Sequence, residues 1–282
     1  MNHSSHSAGR RSFLKLSAAL LPAAALSGPL RLKRVPIATQ LYCVRKELAA
    51  DFPGTMAAVA KIGFEGVEFA DYFGRSAREL RKSLDDNGLK ACGTHIYLET
   101  MLGDELKKTV EFNQILGNKN LIVRSLRENQ RSSKEALLKT AQLFNEIAGR
   151  LQPYGLRVGY HNHDYIFNKF DGELLWNILA DHTRRDVILQ LDTGNASPMG
   201  VDLIELIKRN KGRTGSMHVK PYSKQQPDAF LGEDELDWPQ ILKLAETVGG
   251  VEWLIVEYER PAFPPLQALK QNYDRLRQMR AA

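Results

Sequence analysis

From residue 35 onward, short apolar runs rich in β-branched residues alternate with longer segments whose apolar positions recur every three or four residues. The first kind reads as strands and the second as amphipathic helices. Side chains share a face every two residues along a strand, and roughly every 3.6 along a helix. The pattern predicts strands near Ile37–Cys43, Gly66–Ala70, Lys90–Ile96, Asn120–Ser125, Arg157–His163, Val187–Thr193, Gly215–Pro221 and Glu252–Glu259. It predicts helices near Phe52–Lys61, Ala77–Asn87, Asp104–Leu116, Lys134–Leu151, Gly172–His182, Leu203–Lys208, Trp238–Val248 and Pro265–Met279. Asn87-Gly88, Tyr154-Gly155 and Gly249-Gly250 stand where helices should stop, and Ser132 and Asp237 where helices should start. Strands alternating with helices imply parallel βαβ units. Eight such pairs in about 250 residues, with no Pro- or Ser-rich linker, predict one α/β domain closed as a (β/α)8 barrel. A doubly wound open sheet is the competing arrangement.

The first stretch has a different character. Arg10-Arg11 precede Ser12-Phe13-Leu14-Lys15, and an apolar run from Leu16 to Leu26 follows. The run is too short to span a bilayer as a helix and has the length of a signal-peptide core. With the paired arginines it predicts a twin-arginine export signal over residues 1–28, with small residues around Ala25-Leu26-Ser27-Gly28 for processing. The expectation is a barrel over 29–282, periplasmic or otherwise exported, without a membrane anchor after cleavage. An N-terminal amphipathic helix that stays attached is the alternative.

The chain is 43% apolar and 26% charged, which suits a globular core. Its net charge is +6; Arg10, Arg11 and Lys15 carry three of these charges, leaving +3. That is too little to argue for a nucleic-acid partner. Cys43 and Cys92 are the two cysteines. An oxidising compartment permits a disulfide between them. Twin-arginine substrates fold where thiols stay reduced, so both read as buried free thiols.

Parallel strands are buried on both faces and should be nearly all apolar. Several break this rule at their C-terminal ends: Gly93-Thr94-His95, Tyr160-His161-Asn162-His163, Leu191-Asp192, Met217-His218-Val219-Lys220 and Val256-Glu257-Tyr258-Glu259. In a closed barrel those ends converge on one mouth, where active sites are built. By alternation, His161, Asp192, His218 and Glu257 can meet on the axis. Buried carboxylates and imidazoles at close quarters are costly unless paired or metal-bound. One divalent cation satisfies all four. Mixed nitrogen and oxygen ligands favour Mn²⁺, Fe²⁺, Co²⁺ or Zn²⁺ over Ca²⁺ or Mg²⁺. Mn²⁺ is the first expectation.

The stretches Gly63-Phe64-Glu65-Gly66-Val67-Glu68-Phe69, Val158-Gly159-Tyr160-His161-Asn162-His163, Leu191-Asp192-Thr193-Gly194-Asn195, Met217-His218-Val219-Lys220, Gly232-Glu233-Asp234-Glu235-Leu236-Asp237-Trp238 and Val256-Glu257 keep an order seen elsewhere. On them the chain resembles the xylose isomerase-like TIM barrels, the sugar phosphate isomerases/epimerases, with tagatose/psicose 3-epimerases and inosose dehydratases as relatives. The resemblance implies one metal ligand from each of the last four strands: His161, Asp192, His218 and Glu257. The epimerases carry Glu where His161 stands, and the family's usual Asp after His-Val-Lys is Pro221 here.

The expected activity is metal-dependent isomerisation or epimerisation of a keto-sugar or related polyol through an enediolate. Glu257, His161, His163 and Lys220 are the candidate catalytic residues; Glu68, His95, Asn195 and Trp238 are candidates for substrate binding. Trp238, Tyr42 and Phe69 read first as core packing, with stacking on a sugar face as the alternative. Elimination of the aglycone from a 3-keto-glycoside is a second expectation. A non-catalytic sugar-binding barrel and an apurinic-site endonuclease are further readings; the chain has too few extra metal ligands and too little charge for the latter. Homo-oligomerisation is a further expectation.

Overall fold

Eight parallel strands close on themselves in chain order: β1 (Ile37–Gln40), β2 (Gly66–Phe69), β3 (Lys90–Ile96), β4 (Asn120–Val123), β5 (Arg157–His161), β6 (Ile188–Asp192), β7 (Ser216–Val219) and β8 (Trp253–Val256). The computed structural model describes residues 34–281, so the expected export signal over 1–28 lies outside the described residues. The first and last strands seal the barrel, with Ala38 opposite Ile255 on one side and Gly66 on the other. Among the described residues, one main helix follows each strand: α1 (Phe52–Ile62, preceded by a short helix at Arg45–Ala50), α2 (Ala77–Asp86), α3 (Glu105–Leu116), α4 (Lys134–Leu151), α5 (Leu175–His182), α6 (Leu203–Arg209), α7 (Trp238–Leu244) and α8 (Pro265–Met279).

Strand interiors are buried on both faces. Burying a large apolar side chain contributes about 1.5–3 kcal/mol, and this shared core is what closes the ring. The fit is tight at Gly159 on β5, where a Cβ would come within 2.7 Å of both Ile122 Cδ1 and Ile188 Cβ. Cys43 and Cys92 are buried and free, as expected. No described helix is long and apolar enough to cross a membrane.

Several strands stop earlier than the apolar pattern predicts, because local hydrogen bonds turn the chain out of the ladder. Gln40 accepts from the Tyr42 amide and starts a 3-10 turn at Leu41–Val44, ending β1 before Cys43. Asp192 accepts from the Asn195 amide and caps the short helical turn Thr193–Ala196, ending β6. His163, Lys220 and Glu257 consequently stand just beyond their strands. The fifth helix begins at Leu175 and not at Gly172. Asp171 and Gly172, both at positive φ, turn a small hairpin between Lys169–Phe170 and Glu173–Leu174 instead. Ser133, not Ser132, caps α4 through the Ala136 amide. The helix α7 stops at Leu244, and a π turn, Ala245–Gly249, completes it.

Candidate metal centre

The C-terminal ends of β5 to β8 deliver one polar side chain each to a single spot. Asp192 Oδ2 lies 3.8 Å from His161 Nε2 and 3.7 Å from His218 Nδ1. Glu257 Oε2 sits 2.5 Å from the same His218 nitrogen. Asp192, His218 and Glu257 each offer an atom within 4.8 Å of the others, and all are buried. Register explains the meeting, since Asp192 pairs directly with His218 across β6 and β7.

A floor of hydrogen bonds holds these groups from beneath. Gln190 donates to Glu68 Oε1 at 2.7 Å and to Ser216 Oγ at 2.8 Å, which fixes its amide so that Oε1 accepts. That oxygen takes His161 Nδ1 and His95 Nε2, each at 2.9 Å. His161 therefore carries its proton on Nδ1 and aims the Nε2 lone pair at Asp192. Glu68 Oε2 lies 2.6 Å from His218 Nε2 and leaves Nδ1 facing Glu257. Carboxylate or amide partners of this kind fix tautomer and ring orientation in metal-ligating histidines.

Asp192 Oδ2 is buried and has no hydrogen-bond partner. An orphaned carboxylate oxygen is costly, and a cation is the partner that the surrounding donor set fits. A second triad, His95, His161 and His218, also brings ligand atoms close together. His95 Nε2 already faces Gln190 and Glu68, and the orphaned Asp192 oxygen belongs to the first group, which it favours.

Burial and neighbouring charges act differently on the four groups, and a cation would have to displace the protons they hold. Burial pushes the Asp192 carboxyl up to about 6, with Glu257 adding to it against Lys220 and His218. Burial opposes charge on His218, but Glu68 and Glu257 outweigh it and raise that imidazole to about 10. Burial, then His218 and His95, push His161 well below its ordinary value, toward the neutral form a ligand needs. Burial also opposes ionisation of Glu257, yet Lys220 and His218 hold its carboxyl well below the usual range. Lys220 Nζ lies 2.7 Å from Glu257 Oε1 and 3.4 Å from Glu259 Oε2, and these acids keep it protonated despite burial.

Above the cluster opens a cavity of about 310 Å³, walled by His95, His161, His163, Asn195, Lys220 and Glu257 among others. His163 is pushed toward neutrality by burial, and its Nδ1 is buried without a partner. Asn195 Oδ1 accepts from Lys220 at 3.3 Å.

Glu68 and Trp238, expected to bind substrate, lie elsewhere. Glu68 is fully buried beneath the cavity and saturated by Gln40, Gln190, His95 and His218. It orients ligands and does not reach a substrate hydroxyl. Trp238 starts α7, is 1% exposed, and gives its indole N–H to Asp234 Oδ1, so it packs in the core. Phe69 is fully buried and packs in the core, in line with its first reading. Tyr42 does line the cavity. Gln40, Gln190 and Arg124 belong to the site or its floor and carry no sequence signal beyond polarity at a strand end.

A family model described as xylose isomerase-like TIM barrel matches residues 56–279. An inosose dehydratase from Clostridium perfringens is 22% identical over 247 residues, covering 74% of this chain and 82% of that protein. Among solved structures, a sugar phosphate isomerase/epimerase from Parabacteroides distasonis superposes with a TM-score of 0.73 at 20% identity, covering 87% of this chain and 96% of that one. The IolI protein with a bound zinc atom superposes with a TM-score of 0.68 at 17% identity, covering 86% and 97%.

Proposed function

The chain belongs to the xylose isomerase-like TIM-barrel family, and on that premise we propose that it is a divalent-metal-dependent enzyme that removes a proton beside the carbonyl of a keto-sugar or related polyol. One observation carries the reading: the orphaned, buried Asp192 Oδ2 set between His161 Nε2, His218 Nδ1 and the Glu257 carboxylate. His161, Asp192, His218 and Glu257 are the proposed ligands. Mn²⁺ is the first choice and Zn²⁺, Co²⁺ and Fe²⁺ follow, by the mixed nitrogen and oxygen donors. The bound cation supplies Lewis-acid stabilisation of the charge that develops on the carbonyl oxygen.

The protein's own groups handle the protons. Glu257 is held ionised by Lys220 and His218 against its burial, and its Oε1 is the proposed acceptor of the carbon-bound proton. Lys220, charged and anchored on that same oxygen, donates to a substrate oxygen. His163, neutral and facing the cavity, is the second proton-transfer group. His95 and Asn195 orient hydroxyls from the wall. Return of the proton to the same or the neighbouring carbon gives epimerisation or isomerisation.

A second outcome is favoured by His161, which stands where epimerases of the family carry a glutamate. A two-base epimerase needs that glutamate opposite Glu257. With an imidazole there, loss of a β-substituent becomes the simpler course. In a 3-keto-glycoside, Glu257 takes the C2 proton, the C1–O bond breaks, and the aglycone leaves with a proton from the charged Lys220. The name of the inosose dehydratase relative denotes an elimination of this kind.

Metal-loaded protein incubated in deuterated water with keto-sugars and 3-keto-glycosides tests both. Deuterium in recovered sugar without aglycone release supports epimerisation and contradicts the lyase reading. Aglycone release supports elimination. Glu257→Gln is expected to lower turnover by about 10²–10⁴-fold in either case. A non-catalytic sugar-binding barrel would show no turnover in the first place. For the segment 1–28, whose paired arginines precede an apolar run, we propose export by the twin-arginine route.

A further inference from the structure

Two tyrosines at the barrel mouth are more exposed than packing explains. Tyr42, just after β1, is 42% exposed; Tyr97, just after β3, is 47% exposed. One exposed tyrosine needs no account. These two flank the same mouth, and each ring is met by an arginine.

Each ring is pinned by a guanidinium. Arg45 Cζ lies 3.9 Å from the centroid of Tyr42, and Arg124 Cζ lies 4.4 Å from that of Tyr97. Tyr42 is tied by its backbone to the metal-site framework, and Arg124 is tied by its backbone to the strand that ends at Tyr97. The Tyr42 amide donates to Gln40 Oε1, and the Gln40 side chain donates to Glu68, the residue under His218. The Arg124 amide donates to the carbonyl of Ile96, next to Tyr97. Tyr42 lines the polar cavity above the cluster, and Tyr97 reaches it through Arg124, which lines the cavity and lies over the Tyr97 ring. Arg124 forms no ion pair among the described residues, which leaves its remaining donors for a ligand.

We propose that Tyr42 and Tyr97, with Arg124, form a ring-binding subsite outside the metal cavity, so that the substrate is a glycoside whose aglycone or neighbouring sugar is itself a ring. This rests on the reading of the cavity as a sugar site. The C–H face of a pyranose and the face of an aryl group both pack on an aromatic ring that is held still in advance. Arg124 supplies N–H donors to the hydroxyls or glycosidic oxygen at the junction. The polar cavity takes the sugar that reacts, and the rim takes the ring that leaves or remains attached.

The test is calorimetric binding of phenyl β-glucoside and methyl β-glucoside to the metal-loaded full chain, and turnover of their 3-keto forms. The wild type is expected to prefer the phenyl compound by about fivefold or more. In the Tyr42→Ala/Tyr97→Ala variant the ratio falls toward one, while Tyr42→Phe/Tyr97→Phe keeps it. A wild-type ratio near one, or a ratio that the alanine variant leaves intact, overturns the subsite. So does an alanine variant whose native mass drops with the ratio unchanged, which would make the rim a contact between copies. A ring preference lost in the alanine variant without turnover of any keto-sugar supports the subsite and sinks the catalytic reading. Turnover without ring preference does the reverse.

Discussion

Glu68 Oε2 lies 2.6 Å from His218 Nε2, although the two residues are 150 positions apart in the chain. The contact fixes which nitrogen of His218 faces the proposed cation. Glu68→Gln keeps the shape and removes the charge. Metal affinity is expected to fall by about 10–100-fold with the fold retained, as for other outer partners of ligating histidines. Titration against a competing chelator measures it, and an unchanged affinity would mean that Glu68 does not orient the ligand.

Lys220 runs directly over Gly194. A Cβ there would stand 2.5 Å from Lys220 Cγ. Gly194→Ala should push the ammonium off Glu257 at a cost of about 1–3 kcal/mol in stability. Because Lys220 holds Glu257 ionised, kcat/KM should fall further than the melting temperature implies. Equal activity in the folded variant would remove Lys220 from the proton-transfer scheme.

Metal binding should release protons. The Asp192 carboxyl sits at about 6 and the His218 imidazole at about 10. A cation replaces protons on both, so affinity rises with pH. About one proton should leave per metal between pH 6 and 10, from His218, and about two below pH 6, when Asp192 is protonated as well. Calorimetry in buffers of different ionisation enthalpy counts them; binding independent of pH would contradict the ligand set.

Arg213 precedes β7, at the end of the barrel away from the site. Its guanidinium is buried and donates to Ala180, Arg184 and Val187 carbonyls and to Thr183 Oγ1. Polar groups at that end serve stability. Arg213→Met should cost about 2–4 kcal/mol by stranding those acceptors, with metal affinity intact. Urea denaturation reads the first and chelator competition the second.

The alternation of strands and helices was legible because each run carries its own period. So were His161, Asp192, His218 and Glu257, since charge at the end of an apolar parallel strand is conspicuous. Glu68 was legible as polar but not as a support. Its place beneath His218 depends on a register shift between Val67 and Glu68 against β3, and on Gly93, where a Cβ would stand 2.6 Å from Glu68 Oε1. Neither shows in one sequence. Gln40 and Gln190 were overlooked because an amide in a strand announces no chemistry until its partners are known. Trp238 misled because it closes a motif of acidic residues; its ring turns inward once Asp234 takes the indole N–H.

His161, Asp192, His218 and Glu257 are proposed to grip one divalent cation. Anomalous diffraction from crystals grown with Mn²⁺ tests it most directly. A single strong peak is expected within bonding distance of His161 Nε2, Asp192 Oδ2, His218 Nδ1 and the Glu257 carboxylate. No peak there, or a cation held by His95 and its neighbours without Asp192, would contradict it.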